Sequence, residues 1–157
     1  MLDDRSFDQV LGALKSIDFR VDGLTGNESN PDSNGSAVQA RPLATVQGKL
    51  NPSSDSSFLA VDRQIYGGDD TPSRKEQMQG FVKNYLRRPR SKEHSRNVMY
   101  YFSADKVPVL TTLALEFAVC DRGFSSVPGP EIPNYAFADY GTSFGNVDRN
   151  VFYLNEP

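Results

Sequence analysis

Tryptophan is absent from this sequence of 157 residues, and cysteine and histidine each occur once. The lone cysteine, Cys120, excludes an internal disulfide, since no second thiol can pair with it. A reducing compartment is compatible with that usage. Long apolar runs are missing too: none approaches the roughly 20 residues that carry a helix across a bilayer. The opening, MLDDRSFD, lacks both the basic and the apolar stretch of a secretory signal, which makes the cytoplasm the default expectation. A net charge of −3 argues against general affinity for nucleic acid, and no internal repeat is visible. What is present is 38% hydrophobic residues, enough for one domain with a modest core over residues 1–157.

The pattern along the chain alternates in character. Within residues 5–15, RSFDQVLGALK, the residues Phe7, Val10, Leu11 and Leu14 fall at helical spacing and predict a short helix, with Asp3 or Asp4 as its N-cap. Residues 22–57 hold DGLTGNESNPDSNGS and NPSSDSS, a long polar loop by composition. Only ATVQGKL, residues 44–50, reads there as a strand. A second helix is predicted over residues 72–86, with Met78, Phe81, Val82, Tyr85 and Leu86 as its apolar stripe. A third is predicted over residues 107–119, entering a strand at FAVCDRGF, where Cys120 reads as a small buried residue. A fourth, PNYAFADYG, closes at Gly141, and VFYL near the end reads as an edge strand. Helices alternating with short apolar strands predict an α/β layer structure.

The stretch VPGPEIPNYAFADYGTSFG, residues 127–145, carries the chemical signal. A proline-glycine turn runs into a helix start, where free N–H groups favour a phosphoryl oxyanion. Glu131 stands at that junction. GTSFG itself has no lysine and is a helix stop rather than a phosphate loop. KNYLRRPRSKEHSR, residues 83–96, carries six Lys or Arg against one Glu and contains the only histidine, His94. It reads as a solvated helix end and loop, with contact to a phospholipid or nucleic-acid backbone as the sharper alternative.

Residues 97–145, NVMYYFSADKVPVLTTLALEFAVCDRGFSSVPGPEIPNYAFADYGTSFG, together with MLDDRSFDQVLG at 1–12, resemble the phosphoesterase family of non-specific phospholipases C and related acid phosphatases. DGLTGNESNP, QIYGG and MQGFVKNY fit the segments between. The resemblance covers the front portion of the family domain. It therefore implies a single truncated domain: part of an alkaline-phosphatase-like fold, with a central β-sheet flanked by helices. It also implies hydrolysis of a phosphoric ester, by phosphoryl transfer to a protein hydroxyl and then to water.

The resemblance assigns roles position by position. The family's opening Glu-Asn pair falls on Asp3 and Asp4, hard oxygen ligands that would hold a divalent metal cation. The family's hydroxyl nucleophile falls on Glu131, with Asn134 as the matching asparagine beside it. A carboxylate there repels phosphate and accepts a phosphoryl group only as a mixed anhydride. The family arginine is Tyr135, a family histidine is Asp139, another is Gln9, and the tryptophan after Cys-Asp-Arg is Gly123. An Asp-Pro-Gly-His-like segment is replaced by Ser53–Ser57. Scaffold positions persist while chemistry-bearing ones change. The expectation is a phospholipase C-like phosphoesterase, incomplete and catalytically impaired alone, whose ligand is a phosphate ester or phospholipid. The alternative is a non-catalytic binding or scaffold protein derived from the enzyme's front half. A partial fold also implies a partner: a second copy, or a separate C-terminal half.

Overall fold

The computed structural model describes residues 5–43, 53–67, 75–89 and 92–149. Asp3, Asp4 and the expected strands at 44–50 and VFYL lie outside the described residues.

The first helix is shorter than the periodicity suggests. Helix α1, Phe7–Val10, is capped by Ser6, whose hydroxyl accepts from the Gln9 N–H, and it gives way to a 3₁₀ turn at Gly12–Ser16. The break has a cause. The Gly12 carbonyl accepts from the Leu24 N–H at 2.9 Å, a partner outside its own helix. A Cβ on Gly23 would stand 2.4 Å from that carbonyl oxygen, so the two backbones meet where glycines allow it. Of the predicted stripe, Val10 and Leu14 are buried.

The polar stretch after this contains structure that composition hides. Strands β1, Ser29–Pro31, and β2, Ala37–Gln39, pair antiparallel with Asn30 opposite Val38. The turn between them is held by the Asp32 carboxylate, which accepts from the N–H groups of Asn34 and Ser36. A second pair is parallel: β3, Arg41–Pro42, beside β4, Tyr100–Tyr101. The opening helix is tied to this pair, since Phe102 donates to the Gln9 carbonyl and Gln9 Nε2 donates to the Val98 carbonyl. Among the described residues the strands form these two pairs, and the class is mixed α/β.

Helix α2, Phe58–Tyr66, falls inside no predicted element. It is capped by Ser57 and ends on Gly67. Among the described residues the expected helix over 72–86 is confined to α3, Phe81–Leu86; Val82 and Tyr85 are buried there, and Met78 before it is exposed. Asn30 sets its start: the side chain accepts from the Val82 N–H and donates to the Met78 carbonyl, at 3.0 and 2.9 Å. Gly80 lies against the end of α2. It donates to the Gln64 carbonyl, and a Cβ there would stand 2.0 Å from the Arg63 carbonyl oxygen.

Helix α4, Pro108–Glu116, begins as predicted but buries none of its residues. FAVCDRGF does not continue as a strand. Phe117 and Phe124 are exposed, and Cys120 is exposed rather than buried, because the segment has no sheet to enter among the described residues. Helix α5, Glu131–Tyr140, starts two residues before the predicted point and stops on Gly141 in the left-handed conformation. The core gathers Val10, Leu14, Val21, Ala60, Val82, Tyr85, Phe102, Val127 and Ala136.

Gly80→Ala should destabilise the fold by about 2–3 kcal/mol, because the added methyl meets main chain that cannot rotate away. Urea unfolding of the variant against the parent checks this. Equal midpoints would show that α2 and α3 are free to separate.

Candidate functional site

The turn before α5 has few backbone donors of its own; within it the Gly129 N–H donates to the Val127 carbonyl at 2.8 Å. Pro128 and Pro130 have no N–H, and Pro133 removes one more donor from the first turn of α5. Asn134 supplies the missing bonds. Its Oδ1 accepts from the Val127 N–H, and its Nδ2 donates to the carbonyls of Val127 and Pro130, each at 3.0 Å. The side chain is thereby committed to fixing the turn on the helix, which places Glu131 at the helix start.

Gly129 brings the other walls in. A Cβ there would stand 3.2 Å from the Val147 carbonyl oxygen and 3.9 Å from the Phe58 Cα. The turn therefore lies between the start of α2 and the chain at 147–149. The result is a cavity of about 370 Å³ lined by Ser53–Ser57, Arg88, Pro130, Asp148 and Arg149. The N-caps of both α2 and α5, Ser57 and Pro130, border it. Helix N-termini carry partial positive charge.

Glu131 stands at the edge of this cavity. Its Oε2 lies 3.2 Å from Arg149 Nη2, and the same nitrogen donates to Ser56 Oγ at 2.8 Å. On the far wall, Arg88 donates through Nε to the Ser53 carbonyl at 3.2 Å and lies 3.8 Å from Asp55 Oδ2. Asp55 in turn accepts from the Ser57 N–H at 3.0 Å. That backbone hydrogen bond, helped by the Ser57 hydroxyl and the Arg88 and Arg149 charges, holds the Asp55 carboxyl below its ordinary value. The loop at 53–57, where the resemblance replaces an Asp-Pro-Gly-His-like segment with serines, is thus tied to two guanidinium groups.

Other candidate residues lie elsewhere. Tyr135 and Asp139 are exposed on α5. Gln9 is engaged with Val98, and His94 sits 3.4 Å from the Asn97 side-chain nitrogen. No cluster of three or more His, Cys, Asp or Glu suited to a metal occurs among the described residues. Sequence reasoning passed over Arg149, which stands alone in NVDRN with no spacing signal. It also read Arg88 only as one member of a basic run.

Residues 1–152 match the Phosphoesterase family, and the chain belongs to that family. It is similar to non-specific phospholipase C6 of Arabidopsis thaliana, with 39% identity over 150 residues that cover 95% of this chain and 28% of that protein. Non-specific phospholipase C1 of the same plant is 38% identical over 160 residues, covering 96% of this chain and 28% of the relative. Non-specific phospholipase C3 is 34% identical over 163 residues, covering 99% and 31%. The chain spans less than a third of the length of these relatives.

Two outcomes are expected here. Asn134→Ala strips Val127 of its side-chain acceptor and should cost about 2 kcal/mol of stability; unchanged thermal unfolding would remove the asparagine from the scaffold. Asp55 has a depressed pKa, so its stabilising contribution is full above the ordinary value of 3.8 and fades as pH falls through the folded value. The difference in melting temperature between parent and Asp55→Asn should therefore be clear at about pH 6 and narrow as pH falls below the ordinary carboxylate value.

Proposed function

We propose that this chain carries the phosphate-facing part of a phospholipase C-like phosphoesterase of alkaline-phosphatase-like fold, acting on a phosphate ester or phospholipid, and that it is catalytically impaired alone. The carrying observation is Glu131. It occupies the helix start that the family resemblance assigns to the hydroxyl nucleophile, and its carboxylate is held by Arg149. Support for a phosphate ester as the ligand class comes from two helix N-termini and two guanidinium groups around one cavity. Support for a phospholipid comes from the names of the relatives.

Hydrolysis by the family route breaks the ester P–O bond as a hydroxyl oxygen attacks phosphorus, and water then releases phosphate. Glu131 offers a carboxylate instead. Attack by it would form an acyl phosphate, and its charge opposes the approach of an anionic ester. Asn134 orients the helix start for this encounter and is spent on backbone groups in doing so. A divalent cation on Asp3 and Asp4 belongs to the same proposal on carboxylate chemistry and would offset charge on the ester when bound.

The proposal includes a polypeptide partner. Val109, Leu113, Leu115 and Phe117 expose apolar surface on and after α4, a kind of surface that seeks cover. A second copy or the portion of the fold that the relatives carry beyond the matched share would provide it. No helix among the described residues is long and apolar enough to cross a membrane.

Assays with p-nitrophenyl phosphate and with phosphatidylcholine, each with and without Mg²⁺, Mn²⁺, Ca²⁺ or Zn²⁺, test the reading. No turnover above background is expected from the parent chain. Metal-dependent hydrolysis that Glu131→Gln abolishes would make Glu131 a working residue and end the impaired-enzyme reading.

A further inference from the structure

We propose that Glu131 is a built-in competitor for the anion site: its carboxylate occupies Arg149, and a phosphate group binds the cavity by taking that guanidinium over. The inference rests on the phosphate-ester reading of the cavity and adds how access to it is controlled. Arg149 is the joint of the arrangement. One nitrogen, Nη2, faces both Glu131 Oε2 at 3.2 Å and Ser56 Oγ at 2.8 Å. It is therefore already positioned at the mouth of the serine loop and needs only to exchange one oxygen partner for another. A phosphate oxygen in the cavity would meet the same guanidinium, the Ser56 hydroxyl, and Arg88 across from it.

Charge explains why exchange is required. Asp55, Asp148 and Glu131 face or border the cavity against Arg88 and Arg149, so carboxylates outnumber guanidiniums. Asp55 is anchored by the Ser57 amide and stays with the loop. Glu131 is the carboxylate that can leave. It is bound to Arg149 through a single ion pair whose side chains are 33% and 61% exposed, and such pairs are weak in water. A phosphate monoester carries more charge than a carboxylate and more acceptor oxygens, so it competes well for a guanidinium. The ligand class is a terminal phosphate, free or on a lipid headgroup.

Calorimetric titration with inorganic phosphate at constant ionic strength tests this. Measurements are made on the parent chain, Glu131→Gln, Glu131→Ala, Arg149→Gln and the double variant Glu131→Gln/Arg149→Gln, each checked for folding by circular dichroism. The parent should bind weakly. Either substitution at Glu131 should tighten binding by about tenfold, a value reduced from the bare Coulomb figure because the pair is exposed. With Arg149 already replaced, removing Glu131 should gain less than about threefold, because no guanidinium is released.

An equal gain in both backgrounds would show simple repulsion and overturn the competitor inference while leaving the phosphate site intact. Flotation with phosphatidylcholine vesicles, with and without phosphatidic acid, separates the two ligand sources. Binding only to phosphatidic acid vesicles, again strengthened by Glu131→Gln, supports the same site reading a lipid phosphate. Binding of neither phosphate nor phosphatidic acid by any variant overturns the phosphate-ester reading and the inference with it.

Discussion

The bonds that Asn134 makes to the turn before α5 are the constraint on which the site depends. A segment rich in proline has few donors, and a turn with few donors does not hold its own shape. Val-Pro-Gly-Pro is such a segment, and the side chain of Asn134 reaches back to it with one acceptor and one shared donor. The helix start is thereby fixed relative to the turn. Gly129 lets that turn lie against Val147 and the beginning of α2 without a clash. Two helix ends, a serine loop and the Arg149 guanidinium then meet around one cavity.

That same arrangement explains why a carboxylate suits this helix start. The start of a helix favours negative charge whatever molecule carries it. A tethered carboxylate loses no translational freedom on reaching the position, whereas a dissolved phosphate does. Glu131 therefore satisfies the local electrostatics with a group already in place. Pro133 reinforces this by removing an N–H from the first turn of α5. Fewer backbone donors remain at that helix start, and Arg88 and Arg149 are the cationic side chains that line the cavity.

Legibility in the sequence followed the range of the forces involved. Helix α5 was visible because its signals are local: proline at the start and glycine at the stop. The family resemblance was visible because motifs such as RSFD and PGP are contiguous. Helix α2 was missed although Phe58, Val61 and Ile65 fall at helical spacing, because it follows directly on a serine-rich run that composition reads as loop. The hairpin at 29–39 was missed because Asp32 holds its turn and Asn30 ties it to the start of α3 through side-chain bonds, and composition reads those residues as loop. The overlong helix at 72–86 reflects Gly80, whose packing on Arg63 needs backbone contact that no periodicity reveals. Arg149 pairs with a residue far along the chain, and a lone arginine carries no pattern.

The balance between polar staples and apolar core follows from this short list of buried residues. Among the described residues nine hydrophobic side chains make the core, and several helices are shorter than three turns. Isolated helices of that length do not persist in water without tertiary support. Asn30 at the start of α3 and Asn134 at the start of α5 each satisfy backbone groups that the helix and its flanking turn leave unpaired. Both replace nonlocal burial with directed bonds. α4 is tied to the preceding turn by Thr111, whose hydroxyl donates to the Ala104 carbonyl, but it buries none of its residues, and Val109, Leu113 and Leu115 are exposed. The two asparagines therefore mark where directed bonds hold the helix starts, and α4 marks where the described residues supply no burial.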